Sequence, residues 1–131
     1  MIDFSNEIFN EVAKNLRSTY SDITVVGEYV ESPAKFPTVT IDEIQNTPTH
    51  KDTATYNKYA EIVYRTQIFC NGVGKRQKAR QIFNSLDKTL MELGLYVKTY
   101  TTTPAIYNAE VYCITATHSG VIDKNGVVYR G

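Results

Sequence analysis

Between Lys75 and Gly94 the apolar residues Ala79, Ile82, Phe83, Leu86, Leu90 and Leu93 fall three or four apart, while the stretches on either side alternate with a period of two. Such a chain lays a helix against β-structure, because a helical stripe and an alternating strand each bury one side only. Gly94 follows the stripe, where its tolerance of positive φ ends a helix. A second stripe opens the chain: Phe4, Ile8, Val12, Leu16 and Tyr20 recur every four residues, widened by Phe9 and Ala13. Asp3 or Ser5 can cap its first turn.

The strands follow from the alternation. Ile23, Val25 and Gly27 interleave with Thr24 and Val26 as a short strand, and Ser32 to Lys35 is a turn. From Phe36 onward, Val39 and Ile41 take one side while Thr38, Thr40 and Asp42 take the other. Asn46 to Lys58 is polar and Thr-rich, and reads as a long loop. Tyr59 to Cys70 resumes the alternation, with Ala60, Ile62, Tyr64, Ile68 and Cys70 on one face. Glu61, Arg65 and Gln67 share the other face with Val63 and Phe69. After the Asn71-Gly72-Val73-Gly74 break and the second helix, Leu95–Thr102 and Asn108–Ser119 read as strands parted near Pro104. Val121 to Tyr129 closes as a hairpin turning at Asn125-Gly126. The expectation is one α+β domain over residues 1–131. It has a mainly antiparallel sheet of about five strands with two helices on one face, in the order α-β-β-β-α-β-β plus a C-terminal hairpin.

Composition excludes several functions. Fourteen Lys and Arg balance fourteen Asp and Glu, so the basic excess of a typical phosphate-binding domain is missing. No apolar run approaches the roughly 20 residues that cross a bilayer, and the first residues do not read as a signal peptide. Cys70 and Cys113 each sit in an apolar run and read as buried free thiols in a reducing compartment. His50 and His118 have no second ligand at metal spacing, and Asp123, Asn125 and Gly126 lack the later Glu of a calcium loop. Asn71-Gly72-Val73-Gly74-Lys75 lacks P-loop spacing, and Asp42 and Glu43, adjacent on a strand, point to opposite faces. No catalytic residue, metal or cofactor is expected.

Two surface features remain. Lys75, Arg76, Lys78 and Arg80 place four positive charges at the start of the second helix, where they oppose the helix dipole. They read either as a solvated helix face or as a contact for an acidic neighbour or nucleic acid. The second feature is the far side of the sheet, where Tyr59, Val63, Phe69, Tyr112 and Ile114 exceed what one core face can use. Either the terminal hairpin covers them or they form an exposed apolar, Tyr-rich interface between subunits.

The chain runs in succession through an amphipathic helix, a strand, the Phe36-Pro37-Thr38-Val39-Thr40-Ile41 strand, a long polar hairpin loop and a second helix. It ends in Tyr107-Asn108-Ala109-Glu110-Val111-Tyr112 and Gly120 to Arg130. From Phe4 to Arg130 this arrangement resembles the tail terminator (tail completion, tail-to-head joining) proteins of long-tailed bacteriophages, a family recognised by element order. The resemblance implies a structural virion protein of a phage or prophage tail. It would form a hexameric ring at the head-proximal end of the tail tube, stopping tube growth and joining tail to head. Its partners would be other copies of itself, the tail tube protein and the head-neck connector, with DNA passing through the ring and no membrane involved. It would reside in the host cytoplasm during assembly and then in the virion. By the same analogy Thr49, His50, Lys51, Asp52 and Thr53 would meet the tube or neck. Lys75, Arg76, Lys78 and Arg80 would face the ring channel or a neighbour. Another head-tail component, such as a stopper or minor capsid protein, is the nearest alternative. A small nucleic-acid-binding module is the next.

Overall fold

The computed structural model describes residues 5–28, 30, 33–48, 59–105, 108–123 and 128–129. Along them run α1 (Ser5–Thr19), β1 (Thr24–Val26), β2 (Thr38–Pro48), β3 (Tyr59–Asn71), α2 (Lys75–Glu92), β4 (Tyr96–Ala105), β5 (Asn108–Asp123) and β6 (Val128–Tyr129). The order is the one expected, and the fold is α+β. The strands lie side by side as β1-β2-β3-β5-β4, with β6 paired to β5. All pairings are antiparallel except that of β1 with β2.

Several boundaries differ from the sequence expectation; β5, for one, runs unbroken to Asp123 and takes in Val121 and Ile122, the first arm of the expected hairpin. Asn46, Thr47 and Pro48 pair with Ile62, Glu61 and Ala60, so β2 runs into the segment read as loop. Asn46 and Thr47 carry no apolar side chain to betray a strand; the ladder to β3 holds the segment. The rest of that loop, 49–58, lies outside the described residues, as do Asp3 and Phe4 at the start of the first stripe. Likewise β4 continues through Pro104 to Ala105, with a register shift where a break was expected.

Both helices pack on one face of the sheet. Ile8, Val12, Ala13 and Leu16 from α1 meet Ala79, Ile82, Phe83, Leu86 and Leu90 from α2 over Val39, Ile41, Ile62, Tyr64, Ile68, Ile114 and Ala116. The end of α2 is built as the sequence suggests. Gly94 takes φ 88°. Its amide donates to the Met91 carbonyl, and the Leu95 amide donates to the Leu90 carbonyl. This doubly bonded left-handed turn satisfies two free carbonyls and brings Leu95 against the core beside Leu90. Beneath it lies Gly120 of β5, where a Cβ would stand 2.8 Å from the Gly94 carbonyl oxygen and 2.6 Å from a Leu95 methyl. Only a residue without a side chain lets the turn sit this close to the strand.

The opposite face is mostly polar. Cross-strand partners share a face, so Thr40, Gln67 and Thr115 lie in one row and Asp42, Arg65 and Thr117 in the next. Thr40 Oγ1 donates to Gln67 Oε1 at 3.2 Å. Arg65 forks onto Asp42, with Nη2 to Oδ2 at 2.8 Å. At one end Phe69, Val111 and Cys113 form a small second apolar cluster, against which Phe36 packs.

Candidate functional site

The structure redistributes the residues expected to form a subunit interface. Ile68 pairs with Ile114 and Cys70 with Tyr112, so Ile114 and Tyr112 stand on the helix-covered face. Ile114 is fully buried in the main core, and Tyr112 packs against that core. Counting from Asn108 across a long strand leaves the phase of β5 undetermined until its partner fixes it. Val63 and Phe69 do lie on the other face, but both are buried within the chain itself, Phe69 under Phe36. They are therefore corrected from exposed interface residues to internal packing. Covering by the terminal hairpin does not account for the Phe69 cluster either, since β6 lies alongside β5 at Val121 and Ile122. The Tyr59 side chain is outside the described residues, as are Thr49, His50, Lys51, Asp52 and Thr53.

Exposed apolar surface appears instead along β4. Val97 and Tyr100 face the helix side, opposite His118 and Ala116, yet remain 48% and 41% exposed. Tyr100 meets Phe83 edge-on at a 4.7 Å centroid distance. Met91, on the same α2 row as Phe83 and Asp87, is also exposed, as is Tyr96 at the start of β4. The sequence signal for this margin is weak, because the alternation of β4 is broken by a register shift between Val97 and Thr99. That shift places Lys98 at a bulge, and Pro104 offers no amide. Both are devices that discourage another strand from adding to an edge. Contact at this margin would therefore run through side chains rather than through strand pairing.

The basic segment is largely engaged within the chain. Lys75 Nζ donates to the Glu110 carbonyl at 3.0 Å, and the Arg76 guanidinium sits 5.8 Å from the centre of the Tyr112 ring. Lys78 Nζ pairs with Asp22 at 3.0 Å, and that hydrogen bond holds the Asp22 carboxyl below its usual range. Arg80 is exposed. Charges that oppose the dipole of α2 thus find part of their compensation in the loop before β1 and in β5. Because the Lys78–Asp22 pair lies in solvent, Lys78→Ala should leave the urea midpoint unchanged within error. A clear loss of stability would show that this pair anchors the helix.

Asp42 and Glu43 part to opposite faces as expected. Asp42 meets Arg65, while Glu43 accepts a hydrogen bond from the Tyr64 hydroxyl at 3.2 Å. They line a cleft of about 200 Å³ with Asn6, Phe9, Gly27 and Tyr64. A polar groove of about 310 Å³ separates the helices, lined by Asn15, Ser18, Ser85, Lys88, Thr89 and Glu92. Among the described residues no three His, Cys, Asp or Glu side chains gather as a metal site. Both cysteines are free and buried, and burial pushes the Cys70 thiol up to about 11. Thiols held so far from the thiolate are poor nucleophiles at neutral pH. No helix among the described residues is long and apolar enough to cross a membrane.

His118 is the buried polar group whose position sequence reasoning missed. It sits on the helix-covered face of β5 and is fully buried, with Nε2 2.8 Å from Asp87 Oδ1 of α2. Among the described residues its Nδ1 has no hydrogen-bond partner. Read from β5 alone it looked like a strand-end histidine; the apposition of α2 gives it a partner. No protein-family model matches the chain, and neither does any curated protein.

Proposed function

We propose that this chain is a structural subunit of a bacteriophage or prophage tail. It closes into a ring at the head-proximal end of the tail tube, ends tube growth and joins tail to head. The observation that carries this reading is the exposed apolar margin of Val97, Tyr100 and Met91 beside the guarded edge of β4. Side chains of this kind gather where one protein surface covers another. A ring needs two different patches on each subunit, and such a margin supplies one of them. The order of helices and strands supports the same reading, since element order is what the resemblance to tail terminators rests on. The internal engagement of Lys75, Arg76 and Lys78 gives less support to a nucleic-acid-binding module.

Light scattering of the purified chain, alone and with cognate tail tubes, tests the proposal together with electron microscopy of the mixture. Rings at one end of each tube, with tube length no longer increasing, are the expected result. Tubes that keep growing with bare ends would reject it. Tyr100→Asp together with Val97→Asp should abolish end-binding while the circular dichroism spectrum stays unchanged, because both side chains are already substantially solvated in the single chain.

A further inference from the structure

We propose that His118 and Asp87 form an acid-sensitive latch that holds α2 on the sheet at neutral pH and loosens on mild acidification. The imidazole is fully buried between β5 and α2, and its one described hydrogen bond goes from Nε2 to Asp87. In the neutral ring Nε2–H donates to the Asp87 carboxylate, and Nδ1 is a buried lone pair with no donor to it among the described residues. Protonation would put a second N–H at Nδ1, which has no acceptor among the described residues, and a positive charge inside the buried layer between β5 and α2.

The groups facing His118 do little to absorb that charge. From α2, Asp87 favours the imidazolium but is itself partly open to water. From β3, the cross-strand partner is Tyr64, a neutral phenol whose hydroxyl donates to Glu43 on β2. From β4, the partner is apolar Val97; Tyr100 lies beyond Phe83, and Lys98 is an exposed like charge at the bulge. Burial therefore outweighs the Asp87 contact and pushes the imidazole below its ordinary value. The unfolded or undocked histidine takes up a proton first, so docking is fully supported above the ordinary imidazole value near 6.5 and weakens as pH falls below it.

Hydrogen exchange of the full chain at pH 7.5 and 5.5, normalised for intrinsic rates, tests the latch. Protection across Lys75–Glu92 should fall more than across the centres of β3 and β5, by up to about tenfold, the limit set by one unit of pH beyond the ordinary value. His118→Gln keeps a donor toward Asp87 without a titrating ring and should remove this selective loss. Asp87→Asn, which deletes the carboxylate favouring the imidazolium, should enlarge it. Should His118→Gln fail to fold, the wild-type ring can be titrated by NMR. A ring that titrates at or above the ordinary value, or an α2 equally protected at both pH values, overturns the proposal. So does a loss that persists undiminished in His118→Gln.

Discussion

Gly120→Val should lower stability by about 2–3 kcal/mol, the upper part of the range for forcing atoms into a packed site. At most positions in a strand the change would help, since valine favours extended backbone and restricts the unfolded chain. Here the new Cβ would meet the Gly94 carbonyl oxygen at 2.8 Å and a Leu95 methyl at 2.6 Å. The methyl can rotate away. The carbonyl belongs to the turn that ends α2, whose amides are bonded to Met91 and Leu90, so moving it disturbs the helix end as well. Urea denaturation of Gly120→Ala and Gly120→Val measures the effect. Stability equal to or above wild type in both would show that the turn does not rest on β5 as described.

The second large effect is expected at Leu86→Ala, with a loss of about 2–5 kcal/mol. Leu86 is fully buried in the stripe by which α2 joins the core shared with α1 and the sheet. Truncation removes the transfer energy of the missing carbons and leaves a hole between elements that are each fixed elsewhere. The turn at Gly94 fixes one end of α2, and the Asn15 amide donating to Thr89 Oγ1 at 3.1 Å ties it to α1. A loss below about 1 kcal/mol, less than a typical buried leucine contributes, would mean that the site closes over the gap.

Much of the architecture was legible because each element carries its own period. The α2 stripe, its end at Gly94 and the helix-side face of β3 from Ala60 to Cys70 stand in the structure as the residue pattern places them. What escaped was what the period does not encode. Pairing to β3 alone makes Asn46–Pro48 a strand, and the register of β5 alone decides that Ile114 and Tyr112 belong under the helices. The candidate site was harder still. The surplus of apolar residues on the sheet was real, but Phe36, expected at the start of a strand, absorbed part of it from the bend just before β2. The exposed margin on β4 lay behind a bulge that breaks the alternation by which strand faces are counted. His118 gained its partner from α2, thirty-one residues away in the chain.

The pairing of β3 with β5 joins the two halves of the molecule, and it has a consequence for biosynthesis. The hairpins β2–β3 and β4–β5 each link neighbours in the chain, whereas the seam between them closes only after α2 and β4 have been made. Joining distant segments comes late, because the chain must surrender freedom before the contact repays it. A nascent polypeptide on the ribosome therefore carries one flank of Tyr59–Asn71 open for the whole time that Lys75–Ala105 is emerging. Translation speed over that interval sets how long a vulnerable ribbon waits for its mate.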